Sequence, residues 1–227
     1  MIHIFHVLKY INFYSTSMFI VLEGIDGAGK GRQRNELVSF LEGKVSKLQT
    51  TDFPDHSGVL YQQVIKPALL EKTTLNKSAW FLSFALDQIM FQDKISPAKG
   101  SRKSFFICDG YFTTTLVYQC LVNKYFSLEQ ALKFAANFGI ESADLNIFID
   151  VRPETALERK MKEEGHDEGL DINERNLKKQ YQIREGFLKL ARENIFGTWA
   201  IVDGNGTIPE VRAAIIEVIK DKYKLIS

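Results

Sequence analysis

A chain of 227 residues with 29 basic and 28 acidic side chains is nearly neutral, which excludes the basic footprint of a general nucleic-acid binder. With 45% hydrophobic and 12% aromatic residues it has enough apolar surface for one α/β domain and no resemblance to a disordered composition. Its two cysteines, Cys108 and Cys120, make no disulfide framework and favour a reducing, cytoplasmic setting.

Residues 1–17, MIHIFHVLKYINFYSTS, lack the arginines of a transit peptide and the small-residue cleavage site of a secretory signal. They are too short and too interrupted to span a bilayer, so no membrane partner is expected. They read as an extension upstream of a start at Met18, with a targeting role as the other reading. From residue 18 to 227 the chain reads as one domain.

Five short apolar runs without alternation have the signature of buried parallel strands: MFIVLE (18–23), VSKLQT (45–50, the weakest), SFFICD (104–109), LNIFID (145–150) and TWAIVD (198–203). Between them lie helical patterns over 30–42, with Leu37, Phe40 and Leu41 on one face, and then 58–71 and 75–95. The segment 75–95 carries Trp80, Phe81, Phe84, Leu86 and Phe91. Further helices are predicted near 112–122, 127–138, 153–163, 173–195 and 207–222. Strand alternating with helix implies a five-stranded parallel sheet covered on both faces.

Residues 24–30, GIDGAGK, follow the first strand and open the first helix, the setting in which G-x-x-x-x-G-K binds phosphate. Successive backbone N–H groups around Gly24, Gly27, Ala28 and Gly29 form an anion cradle at the positive end of a helix, and Lys30 reaches the β and γ phosphates. The fold class is therefore α/β of the P-loop NTPase type. Gly31 occupies the position of the magnesium-binding hydroxyl. Arg32 either adds charge beside the phosphates or faces solvent. Asp109 ends a strand at the edge where ligands gather in such sheets. It reads equally as a carboxylate for hydrated magnesium and as a turn aspartate.

FIVLEGIDGAGK resembles the start of a thymidylate kinase, a family that transfers the γ-phosphate of ATP to dTMP. Similar segments follow in the family's order: FPDHSG (53–58), FALDQ (84–88), CDGYFTTTLVYQ (108–119) and VRPETALERK (151–160). The resemblance implies ATP as donor with Mg2+, dTMP as first candidate acceptor and a homodimer. It implies Phe53 at the start of the acceptor site, Phe84 stacked on the base, and Gln88, Thr115 and Gln119 around it. Tyr118 would lie against the deoxyribose, Asp26 between the phosphoryl partners, and Arg159 near the transferring phosphate when a lid over about 160–174 closes. Without the resemblance, Phe84 and Tyr118 would read as helix core, and the lid as a solvated loop.

The chain departs from that pattern where arginines are expected, carrying Asp52, Gln88, Gly110 and Ile172 instead. Two lost contacts to an acceptor phosphate would remove about 3–6 kcal/mol, at roughly 1.5–3 each. The alternatives are thus a kinase for another nucleoside monophosphate, or a weakly active or inactive nucleotide-binding relative.

Overall fold

The computed structural model of the chain describes residues 17–100, 104–162 and 176–223; the extension before Ser17 and residues 163–174 of the expected lid lie outside them. Strands β1 (Met18–Glu23), β2 (Lys47–Asp52), β3 (Ser104–Asp109), β4 (Ala143–Asp150) and β5 (Gly197–Asp203) form one sheet in the order β2-β3-β1-β4-β5. Every pairing is parallel, as the apolar runs imply. The central β1 is buried along its whole length, and β3 and β4 nearly so.

Each strand ends in an acid: Glu23, Asp52, Asp109, Asp150 and Asp203. The register sets Asp52 beside Asp109 and Asp150 beside Asp203. Asp150 is held by Arg184 through two contacts of 2.5 and 2.7 Å.

Helix α1 (Lys30–Leu41) buries Leu37 and Leu41 and leaves Phe40 partly covered against the core. After β2 a π-helical turn (Tyr61–Ile65) runs into the short α2 (Lys66–Leu69). The single helix expected over 75–95 is two, α3 (Lys77–Ile89) and α4 (Gln92–Gly100). The Gln92 side chain explains the break: its amide donates to the Gln88 carbonyl at 2.8 Å, a bond that a continuous helix would take with its own backbone.

Helix α5 (Phe112–Thr115) passes directly into a π-helical segment, Leu116–Val122, and is followed by α6 (Leu128–Asn137), opened by a Ser127–Gln130 capping box. Then come α7 (Pro153–Lys162), α8 (Leu177–Arg192) and α9 (Ile208–Tyr223). α1 and α9 pack together, while α8 covers β4, β5 and the π segment. Among the described residues no helix is long and apolar enough to cross a membrane.

Candidate active site

The loop between β1 and α1 has the form that its sequence requires. Gly27 adopts φ +81°, and a Cβ there would lie 2.2 Å from the Ala156 carbonyl oxygen of α7, so only glycine fits. Gly29, also left-handed, caps α1. The Lys30 ammonium donates to the carbonyls of Gly24 and Ile25 at 3.1 and 3.2 Å, curling over the loop where phosphates would lie.

Two carboxylates stand beneath it. Asp109, at the end of β3, is raised above its usual range by removal from water, an effect that the Lys30 charge opposes. A Cβ built on Gly31 would sit 3.3 Å from Asp109 Oδ2, so the missing hydroxyl and this carboxylate belong to one small space. Glu23 is fully buried and accepts hydrogen bonds from both Thr113 and Thr114. Burial pushes its carboxyl up to about 7 in spite of those bonds and of Lys30.

A cavity runs from this loop towards α3. It is lined at one end by Gly24, Asp26 and Lys30 and at the other by Trp80, Phe84, Gln88, Thr115 and Gln119. Trp80 and Phe84, one turn apart, present nearly parallel rings at 6.1 Å and 10°. Between the two ends, Tyr118 Oη donates to Asp26 Oδ2 at 3.0 Å. Asp87 Oδ2 accepts from Asp55 N at 2.9 Å and so holds the 53–58 loop against α3, with Phe53 and Pro54 in the cavity wall. Burial raises Asp87 to about 6.

The expected arginine position at 110 is a glycine for a local reason. Gly110 has φ +67°, and a Cβ there would meet the Phe53 carbonyl at 3.1 Å and Thr114 Oγ1 at 3.3 Å. Asp52 is not among the described residues lining the cavity. Its carboxylate takes a 2.6 Å bond from His56 Nδ1 and lies 3.9 Å from Arg34, and the His56 bond lowers its pKa. Both its oxygens are thus engaged by neighbouring side chains.

Arg32 takes the solvent-facing one of its two readings, and Arg159, which the resemblance implies near the transferring phosphate when the lid closes, is bonded elsewhere in this structure. Arg32 forms an exposed pair with Glu36, four residues along α1, because its helix position faces solvent. Arg159 donates to the carbonyls of Gly204 and Gly206 at 3.0 and 3.3 Å, tying α7 to the loop after β5. Ile172 and most of the lid lie outside the described residues.

Sequence reasoning missed Glu23, Thr113, Thr114, Trp80 and Lys179, the last a cavity-lining cation from α8. Glu23 had a signal: a charged residue closing an otherwise apolar strand beside the phosphate loop.

A family profile described as thymidylate kinase matches residues 22–215. A probable thymidylate kinase of Methanosphaera stadtmanae is 29% identical, over 89% of this chain and the whole of that protein. One of Pyrococcus horikoshii is 30% identical over 89% and 95%, and a thymidylate kinase of Chlorobium luteolum 26% over 91% and 99%. With its phosphate loop, its parallel sheet and a match over most of its length, the chain belongs to the thymidylate kinase family of phosphotransferases.

Proposed function

We propose that this protein transfers the γ-phosphate of ATP to a deoxyribonucleoside monophosphate, dTMP first among them. One observation carries the reading: a single cavity joins the Lys30 phosphate loop to a flat aromatic and amide wall, with the Asp26–Tyr118 pair between them. That is the layout needed to hold two nucleotides with their phosphates facing. Phosphoryl transfer is mostly positioning and charge stabilisation. An oxygen of the acceptor phosphate attacks the γ-phosphorus, the bond to the β,γ-bridging oxygen breaks, and ADP leaves with that electron pair. The attacking oxygen is already anionic, so no general base is required.

In this reading the loop N–H groups and Lys30 hold the β and γ phosphates. Tyr118, anchored by Asp26, packs against the sugar, and Phe84 with Trp80 forms the stacking wall. The site suits magnesium, since Asp109 is a partly buried carboxylate facing the open space at Gly31, where water would take the place of a side-chain ligand. Mg2+ bound there would neutralise charge on the phosphates.

A second copy of the chain completes the reading. Leu82 and Leu86 of α3 and Met90 at its C-cap, spaced by four residues, are 48%, 47% and 64% exposed, an apolar stripe suited to a homodimer. The buried free thiols Cys108 and Cys120 suit the cytoplasm.

The test is a coupled phosphotransfer assay over a panel of nucleoside monophosphates with direct measurement of ATP binding. ADP production with dTMP is expected. ATP binding without turnover of any monophosphate would favour a non-catalytic nucleotide-binding relative.

A further inference from the structure

The two halves of the cavity wall meet at one buried carboxylate. Glu23 closes β1 and is followed directly by Gly24, which opens the phosphate loop and lines the cavity. Thr113 and Thr114 lie in α5, and Thr114 begins the row Thr114, Thr115, Tyr118 and Gln119 on the acceptor side of the same cavity. Each carboxylate oxygen takes one hydroxyl: Thr113 Oγ1 donates to Oε1, and Thr114 Oγ1 donates to Oε2 at 2.7 Å. The pairing of β1 with β3 ends at Leu22 and Asp109, where the Gly110 N–H also donates to the Leu22 carbonyl at 2.9 Å. Glu23, the next residue, continues that connection from the strand into the helix.

A carboxyl is an expensive residue to put there. The rest of β1 is apolar and buried, and an apolar side chain would close the strand without the cost of taking a carboxyl out of water. What an apolar side chain lacks is direction. Two hydrogen bonds to adjacent hydroxyls fix α5 against the phosphate loop in one geometry, which packing alone leaves freer. Thr113 separates this role from substrate contact. It is fully buried and is not among the described residues lining the cavity, whereas its hydroxyl bonds Glu23.

We propose that Glu23 is a positioning residue for phosphoryl transfer, setting the span between the loop that holds the donor and the helix that holds the acceptor. This deepens the kinase reading and rests on it. Transfer needs the attacking oxygen about 3–3.5 Å from the phosphorus, and a misplacement of about 1 Å costs about a hundredfold in rate. Each nucleotide keeps its own half of the wall when the link is cut. The two bindings therefore survive, and the step that joins them slows.

The experiment uses the full chain with ATP, dTMP and Mg2+. Rapid quench at saturating substrates gives the rate of the transfer step apart from product release, and calorimetry gives the dissociation constant of each nucleotide alone. In Thr113→Val the transfer rate should fall about ten- to hundredfold while both dissociation constants stay at the parent's values. Thr113→Ser, which keeps the hydroxyl, should recover the rate. A folded Thr113→Val with the parent's transfer rate would overturn the proposal and leave the kinase reading standing. So would a loss confined to one dissociation constant, since Glu23 would then shape one half of the site only. Should Thr113→Val fail to fold, Glu23→Gln decides by the same outcomes, since it keeps the shape with a single acceptor oxygen for two hydroxyls. A parent that phosphorylates no monophosphate would overturn the kinase reading and this one with it.

Discussion

Replacing Gly110 with arginine separates a backbone cost from a binding gain. Position 110 has φ +67°, where a side chain costs about 1–2 kcal/mol. The Phe53 carbonyl at 3.1 Å must also give way slightly. For a chain of this length, 1 kcal/mol lowers Tm by about 2–4 °C, so Gly110→Ala and Gly110→Arg should each melt about 2–8 °C below the parent. That strain is present in the free and bound protein alike and cancels from the binding equilibrium. The guanidinium starts between Phe53 and Thr114, both in the cavity wall, and contributes about 1.5–3 kcal/mol if it reaches the acceptor phosphate. Gly110→Arg should therefore bind dTMP about ten- to hundredfold more tightly than Gly110→Ala, while both lose stability equally. Differential scanning calorimetry and isothermal titration on the same three proteins measure the two effects. Equal dTMP affinity in the two variants would refute an acceptor phosphate within reach of position 110. An arginine variant as stable as the parent would refute the backbone cost.

Lys30→Ala removes the ammonium that lies over the loop and should weaken ATP binding by about ten- to hundredfold by titration; unchanged affinity would remove Lys30 from the site. Gly31→Ser adds a hydroxyl whose Cβ begins 3.3 Å from Asp109 Oδ2, and should lower the Mg2+ concentration giving half-maximal turnover; an unmoved magnesium titration would show that this position faces away from the ion. Glu23→Gln should flatten stability against pH. The folded carboxyl is raised from 4.5 to about 7, so its contribution is full below pH 4.5 and disappears as pH rises through 7, up to about 3 kcal/mol by linkage. Chemical denaturation at pH 4.5 and 8 measures it. Asp87, raised in the same direction, leaves a residual slope in the variant, and a slope equal to the parent's would show that Glu23 does not hold this proton.

Much of the scaffold was legible because burial leaves a compositional trace. The runs at β1, β3 and β4 are apolar on both faces, and their boundaries were read to within two residues. β2 was placed two residues early because an edge strand with half-exposed positions, KLQTTD, carries no apolar signature to fix its ends. The break between α3 and α4 was invisible because it contains neither glycine nor proline. It depends on Gln92, whose amide bonds Gln88 and the distant Tyr111 hydroxyl while its oxygen accepts from Glu141 N. At the site, motif spacing located the loop, and Phe84, Gln88, Thr115 and Gln119, which the resemblance implied, line the same cavity as that loop. The Glu23–Thr113–Thr114 cluster spans about ninety residues of chain, and no local pattern announces such a bond. Arg32 and Arg159 show the converse. Spacing puts a cation near a loop, but the helix face decides whether it turns to solvent, to a carbonyl or to a phosphate.

The π-helical segment Leu116–Val122 has a consequence for insertions and deletions. Thr114, Thr115, Tyr118 and Gln119 all line the cavity, a pattern of i, i+1, i+4 and i+5. On an ordinary helix of 3.6 residues per turn these four positions fall at about 0°, 100°, 40° and 140°, a single but broad face. The wider i→i+5 turn, closed by Asn123 N on the Tyr118 carbonyl at 2.9 Å, rotates less per residue and narrows that face. The segment therefore behaves as a helix with one residue too many. Deleting one residue within it would let a regular α-helix form while turning Tyr118 or Gln119 away from its present place in the cavity wall. A chain one residue shorter here would keep the sheet while presenting a different wall to the cavity.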